Sequence, residues 1–379
     1  MKRLVTSEQV TEGHPDKIAD QISDAVLREA MLKDEDARVA IETMVTPGMI
    51  HIGGELTING YLDFAEIAQS TLKKIGQSES LGLPVNTVAV IPTVIEQSKE
   101  IGEAVSEARD DLSIGAGDQG MMFGYASNET PELMPMPIAV ANAIARKLTE
   151  ARKEGQIREL RPDAKVQVTI EYDGHRPVKA DTILISTQHT SGFGTLQEQQ
   201  IKNLVVEPVL KKYMLPTDYK FVLNPSGSFL VGGVMADTGL TGRKIIADTY
   251  GGVGRHGGGA FSGKDSTKVD RSAAYAMRWV AANLVGLGVA EKVEVQVAYA
   301  IGLAEPVGFY IDTFGTGKES EEKIAEAVLR AVDLRPRAII QNLNLRKYNP
   351  TKTTCYGHFG KPHMTWEQLD LVSQIEDEL

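Results

Sequence analysis

One cysteine, Cys355, stands among the 379 residues, so no disulfide can form within the chain. Its absence suits a reducing compartment. Long apolar runs are missing too. No uninterrupted stretch reaches the length of a bilayer span, and Met1–Glu8 leads into polar residues without a signal-peptide core. The expectation is a cytoplasmic protein with no membrane partner. Positive charge is in deficit: the net charge of −11 argues against general nucleic-acid binding. The seven histidines are His14, His51, His175, His189, His256, His358 and His363. None forms a His-x-x-x-His pair, and with one cysteine no Cys-x-x-Cys exists, so a structural zinc site is not expected. A hydrophobic content of 42% with 24% charged residues is that of a soluble globular protein. The length leaves room for two or three domains.

What the chain has in plenty is glycine, concentrated beside basic residues. Arg255–Arg271 reads Arg-His-Gly-Gly-Gly-Ala-Phe-Ser-Gly-Lys-Asp-Ser-Thr-Lys-Val-Asp-Arg. Glycines let backbone N–H groups approach a ligand, and Lys264 and Lys268, four apart, would share one face of a helix. Bare amides, a helix N-terminus and fixed cations together make a polyphosphate site. Gly258, Gly263 and Lys264 have Walker A spacing, but Asp265 replaces the Ser or Thr that would hold magnesium, and no strand runs directly into the loop. An ordinary P-loop NTPase is therefore disfavoured. A flexible surface loop is the plainer alternative. From Arg243 to Arg271 there are six basic residues against three acidic ones. A local basic patch on an acidic protein points to a compact anionic ligand.

Two further stretches carry candidate residues. Glu12-Gly-His-Pro-Asp-Lys precedes an apolar helical stripe from Ile18, with Pro15 suited to the first helical position. His14 and Asp16 flank this turn and are candidates. Asp20 and Asp24 continue a stripe four apart and read as a solvated acidic face. In Gly115-Ala-Gly-Asp-Gln-Gly, three glycines surround Asp118, which fits either a ligand site or an Asp-stabilised turn.

The chain also repeats itself. Val39, Val166 and Val293 each open an alternating strand pattern, at a constant interval of 127 residues. Each follows a helical stretch (Asp16–Met31, Pro137–Arg152, Lys268–Val285). Each precedes a second strand (Ile50–Ile58, Thr182–Thr187, Val307–Phe314) and a second helix (Phe64–Ile75, Leu196–Tyr213, Glu321–Val332). A short strand closes at least the first two copies, at Thr87–Pro92 and Phe221–Leu223. Consecutive strands without an intervening helix are usually antiparallel. The expectation is therefore three related α+β domains, each with helices on one face of a mixed sheet. The repeats are placed at 1–101, 113–230 and 232–370.

Thr11-Glu-Gly-His-Pro-Asp-Lys-Ile-Ala-Asp-Gln, Gly115-Ala-Gly-Asp-Gln-Gly and Gly257-Gly-Gly-Ala-Phe-Ser-Gly-Lys-Asp, in this order, resemble the signatures of S-adenosylmethionine synthetases. Gly239-Leu-Thr-Gly-Arg-Lys-Ile-Ile, Leu160-Arg-Pro-Asp-Ala-Lys and Tyr356-Gly-His-Phe-Gly extend the resemblance over nearly the whole chain. It implies three intertwined α/β layers with pseudo-threefold symmetry and exchanged segments. The implied reaction is attack of methionine sulfur on C5′ of ATP, with displacement and then hydrolysis of tripolyphosphate.

By motif match, His14 would contact the triphosphate near the breaking bond. Lys165, Arg243, Lys244 and Lys264 would hold the phosphates. Asp163 and Ala164 lie in the nucleotide-contacting segment, and Phe229 and Ala260 would line the nucleoside pocket. Ser228 precedes Phe229 where many bacterial members carry Arg, so that contact is lost or made by backbone. Glu55, Gln97, Asp118, Asp237 and Lys268 would position methionine, with Asp237 also reaching the nucleoside. Asp16 and Asp270 would bind Mg²⁺, two ions per site, and Glu42 one K⁺. The resemblance further implies a homotetramer built as a dimer of dimers, with active sites at the dimer interface. Gln97–Ser113 corresponds to a mobile loop over the site, with Lys99-Glu100 in place of the usual Pro-Asp. Two rival readings remain: a kinase or ATPase using the near-Walker loop, and a non-catalytic nucleotide-binding protein.

Overall fold

The computed structural model describes residues 2–78, 81–96 and 115–379; Gln97 and the whole Gln97–Ser113 segment lie outside them. The first repeat runs β1 (Lys2–Val10), α1 (Pro15–Lys33), β2 (Arg38–Thr46), β3 (Met49–Thr57), α2 (Phe64–Ile75) and β4 (Ala89–Ile95). The second runs β5 (Gly120–Ser127), α3 (Met136–Lys153), β6 (Leu160–Asp173) and β7 (Arg176–His189). It continues through α4 (Thr195–Ile201), a π-helical turn at Lys202–Val206, α5 (Glu207–Lys212) and β8 (Lys220–Leu223). The third runs β9 (Gly239–Leu240), α6 (Ile245–Asp248), α7 (Val269–Leu287), β10 (Lys292–Tyr299), β11 (Gly308–Asp312) and α8 (Glu321–Ala331). It ends with α9 (Pro336–Asn342) and α10 (Val372–Glu378).

Local chemistry sets these limits. Pro15 occupies the first turn of α1, where no intrahelical N–H is needed. Asp63 caps α2 by accepting from the Glu66 amide, and Gly76 ends it in the left-handed region. Along β2, Val39, Ile41, Thr43 and Val45 are buried while the residues between them are not, the period of a half-buried strand.

The strands form three sheets, ordered β4-β3-β2-β9, β1-β6-β7-β8 and β11-β10-β5. The β3–β4 and β7–β8 pairs are parallel and the rest antiparallel, so two sheets are mixed. The exchange between repeats is cyclic. The first strand of each repeat pairs with the central hairpin of another: β1 with β6, β5 with β10, and β9 with β2. The helix, hairpin and second helix expected in each repeat are present; the exchanged strands β1, β5 and β9 are additional to that reading. The third repeat has no closing strand among the described residues.

One apolar core fills the first repeat, built on α1, α2 and the hairpin. Another runs through the second and third. Arg278 of α7 is fully buried. Its guanidinium donates to the Tyr125, Glu132 and Leu133 carbonyls and to Glu367 Oε2 at 2.7 Å. It thereby joins α7 to β5, the chain leading into α3, and the C-terminal segment. Replacing Arg278 with Met would strand a buried carboxylate and three carbonyls. We predict a loss of about 3–5 kcal/mol in urea unfolding; a loss under about 1 kcal/mol would contradict the assignment.

Candidate active site

α1 lies against β2, and its buried face carries a stripe of carboxylates. Asp16 Oδ1 accepts the Leu240 amide at 3.0 Å, Asp20 Oδ1 the Gly242 amide at 2.9 Å, and Asp24 Oδ1 the Gly263 amide at 3.0 Å. Asp20 and Asp24 are fully buried, which overturns the expectation of a solvated acidic face. Asp24 also receives Arg271 and the Thr354 hydroxyl; Asp20 receives Lys17, which also pairs with Asp248. Burial opposes the charge on Lys17, but Asp20 and Asp248 hold it above the ordinary lysine range.

Two loops sit end to end along one edge of β2. Ile41 N–H donates to the Gly263 carbonyl, Asp265 N–H to the Val39 carbonyl, and Asp265 Oδ2 accepts the Val39 amide at 2.7 Å. Beyond them, Thr241 N–H reaches the Thr43 carbonyl, and Leu240 and Gly239 pair with Met44 and Val45. Ser23 Oγ lies 2.8 Å from both Thr43 Oγ1 and Thr241 Oγ1, tying helix, strand and loop together.

The first loop brings cations to the start of α1. Lys244 Nζ lies 2.5 Å from Asp16 Oδ2. Burial works against the Asp16 charge, yet the Lys244 and Leu240 hydrogen bonds hold its carboxyl below the usual range. His14 caps α1: its Nδ1 accepts the Asp16 amide at 3.2 Å. Burial first, then Lys244, pushes this ring down to about 3, so it is neutral at physiological pH. Lys165 is exposed on β6 opposite Val10, beside this turn, and adds to the same shift. Ala164 exchanges hydrogen bonds with Thr11. Asp163 Oδ2 accepts the Gly233 amide at 2.7 Å, while its Oδ1 is buried without a hydrogen-bond partner among the described residues. Asp237 and Arg243 are exposed nearby in the chain. Phe229 is half-buried and linked through its backbone to His189; Ser228 beside it is exposed.

The second loop brings a lysine to another helix start, with Lys264 Nζ 2.6 Å from Oδ2 of Asp270 in the first turn of α7. Lys264 and Lys268 do not share a helix face. Lys264 stands in the turn and Lys268 is the residue before α7, 3.3 Å from Asp265. The Asp265 carboxylate is occupied by the Val39 and Thr267 amides, so it serves the fold where a P-loop would place a metal-binding hydroxyl. The glycines answer to close packing. A Cβ on Gly259 would lie 2.2 Å from Asp270 Oδ1, and one on Gly263 would lie 1.9 Å from the Ile41 carbonyl oxygen. Gly120, at the end of the Asp118 turn, also faces Asp270. Asp118 itself is exposed and accepts the Gln119 amide. Ala260, partly buried, touches the first loop at Gly242.

Glu42 and Glu55 lie on the outward face of the β2–β3 hairpin. They line an open groove of about 520 Å³ with His51, Gly53, Met44 and Leu240. Glu55 continues β3 and closes no turn. Gln97 is outside the described residues.

Among the described residues no three His, Cys, Asp or Glu side chains converge as a cation cage. Asp16 and Asp270 are single carboxylates, each beside a lysine. That donor set suits Mg²⁺, which uses one or two carboxylates, keeps waters and takes phosphate oxygens. The sequence does not show how Asp20 and Asp24 are seated, because their amide partners lie more than 200 residues away.

Burial pushes the Asp163 carboxyl up to about 6, against the opposing Gly233 amide and Lys165. The folded chain therefore holds this proton where the unfolded chain releases it. Stability from this group is full below about pH 4 and is lost as pH rises through about 6. Asn can keep the Gly233 contact without the charge. Asp163→Asn should gain up to ~3 kcal/mol over the parent between pH 4 and pH 7 in urea unfolding. Parallel pH profiles would refute this.

Three domains of one family match most of the chain. The S-adenosylmethionine synthetase N-terminal domain matches residues 2–99, the central domain 113–229 and the C-terminal domain 231–368. An S-adenosylmethionine synthase of Clostridium botulinum (strain Alaska E43 / Type E3) is 52% identical over 389 aligned residues, covering 99% of both chains. That of Clostridium acetobutylicum is 53% identical with the same coverage. That of Corynebacterium kroppenstedtii is 51% identical over 99% of this chain and 98% of its own. With three consecutive domains in order, and with Lys244 and Lys264 on two loops meeting carboxylates at the starts of α1 and α7, this chain belongs to the S-adenosylmethionine synthetase family.

Proposed function

We propose that this chain makes S-adenosyl-L-methionine. Methionine sulfur attacks C5′ of ATP, the C5′–O bond breaks, and tripolyphosphate leaves and is hydrolysed to pyrophosphate and phosphate. The observation that carries this reading is the pair of lysine–carboxylate contacts, Asp16–Lys244 and Asp270–Lys264, in which lysines from two loops along one strand edge meet carboxylates in the first turns of α1 and α7. A thioether has a free lone pair at neutral pH and needs no general base. The chain's tasks are alignment and neutralising charge on the leaving triphosphate.

Each side chain has a place in that scheme. His14 contacts the triphosphate at the breaking bond; its neutral ring offers a hydrogen bond. Lys165, Arg243, Lys244 and Lys264 bind phosphate oxygens. Asp163, Ala164, Ser228, Phe229, Asp237 and Ala260 hold the nucleoside, and Glu55, Gln97, Asp118, Asp237 and Lys268 hold methionine. The family is metal-dependent. Asp16 and Asp270 would hold two Mg²⁺ ions, and Glu42 one K⁺. Mg²⁺ would supply counter-charge to the triphosphate. The linear units are 1–101, 113–230 and 232–370.

We further propose a cytoplasmic homotetramer, a dimer of dimers with active sites at the dimer interface. One observation supports it. Ile91 and Ile95, in register with His51 and Glu55, leave apolar surface exposed on the same outward face. No helix among the described residues is long and apolar enough to cross a membrane.

The test is product analysis after incubation with ATP, methionine, Mg²⁺ and K⁺. A sulfonium product with pyrophosphate and phosphate is expected; ADP with no sulfonium compound would favour the kinase reading. Lys264→Ala should lower kcat by roughly a hundred- to a thousandfold. If each site draws on two subunits, mixing inactive His14 and Lys264 variants restores part of the activity. A fully active monomer in sedimentation would overturn the interface proposal.

A further inference from the structure

We infer that Asp20 and Asp24 are positioning residues for the phosphate-holding cations. Through the Gly242 and Gly263 amides they fix where Arg243, Lys244 and Lys264 stand. The inference rests on the reading above, in which those cations hold the triphosphate.

The geometry is a ladder. Asp16, Asp20 and Asp24 lie at successive four-residue steps of one helix, so their carboxylates project along one line. Each takes one backbone amide: Leu240 and Gly242 from the first loop, and Gly263 from the second. The cations follow directly in the chain: Arg243 and Lys244 after Gly242, and Lys264 after Gly263. Gly242 and Gly263 have φ of +77° and +80°. A Cβ on Gly242 would lie 2.7 Å from Ala260 Cβ, so the two loops also brace each other.

Packing alone does not call for this arrangement. Buried carboxylates cost desolvation that apolar side chains avoid. They return a charge-assisted, directional hydrogen bond that fixes a loop's register as well as its depth. Asp20 and Asp24 have the partners this requires. Lys17 neutralises Asp20, and Arg271 neutralises Asp24. The same Arg271 donates to the Phe261 and Lys264 carbonyls, so the second loop is held on both sides of Gly263.

Asp20 is the residue to vary. Removing Asp24 would leave Arg271 buried without its carboxylate, and the chain would be expected to unfold. Removing Asp20 leaves Lys17 paired with Asp248 and the Thr354 carbonyl, so Asp20→Ala keeps a neutralised core. Asp20→Asn retains an oxygen that can accept from Gly242.

The full chain with Mg²⁺ and K⁺ would be titrated with inorganic tripolyphosphate by calorimetry, and kcat and KM measured for both substrates. Asp20→Ala should weaken tripolyphosphate binding and lower kcat by about ten- to a hundredfold. The KM for methionine should move by less than about threefold, since none of the methionine-holding residues comes directly after Gly242 as Arg243 and Lys244 do. Asp20→Asn should restore most of both losses. Unchanged tripolyphosphate affinity and kcat in Asp20→Ala, whatever its melting temperature, would overturn the inference. So would an Asn variant no better than Ala. Failure of the unaltered chain to form a sulfonium product would sink the functional reading instead, and the tripolyphosphate affinities would still judge the ladder.

Discussion

The site depends on one edge of β2. That edge carries two separate loops end to end, 239–241 and 263–265, and α1 lies over them with two carboxylates for the first, at Leu240 and Gly242, and one for the second. The loops have few apolar side chains of their own to bury. Backbone amides seated on buried carboxylates, in a medium where such bonds are strong, do the work that a hydrophobic face does for a helix. The cations that follow each seated glycine inherit its position.

The cyclic strand exchange explains how parts distant in sequence meet there. β9 leaves the third repeat to pair with β2 of the first, and this brings the loop before α6 to the start of α1. β1 leaves the first repeat to pair with β6, and this sets His14 beside Asp163 and Lys165 of the second. β5 crosses to β10 and carries the Asp118 turn toward Asp270. All three repeats contribute, so no single repeat holds the candidate site. Beneath it, Arg271 and Arg278 lock α7 to the C-terminal segment through Thr353 and Glu367.

Much of this was legible in the residues. The repeat at 127-residue intervals marked the hairpins and helices, because each is a local period. Segment exchange followed only from the family resemblance, and the strands that carry it were not legible, because β1, β5 and β9 are defined by partners in other repeats. His14 and Asp16 stood out through the Gly-His-Pro turn. Asp20 and Asp24 were misread because four-residue spacing cannot tell a wet stripe from a buried one; only the Gly242 and Gly263 amides decide it. The glycines of the 257–263 loop suggested open amides for a ligand. Gly259 and Gly263 instead make room for Asp270 and for the Ile41 carbonyl. Lys264 and Lys268 share a helical spacing but no helix, since α7 starts only at Val269.

Amide hydrogen exchange at Gly242 and Gly263 tests the seating of the loops most directly, using glycine-selective labelling of the free chain. If buried carboxylates hold these amides, both exchange slowly without nucleotide, as slowly as the central amides of β2, and tripolyphosphate adds little protection. Exchange at the rate of an open loop, slowed only when tripolyphosphate and Mg²⁺ are added, would show that the ligand and not α1 sets the site.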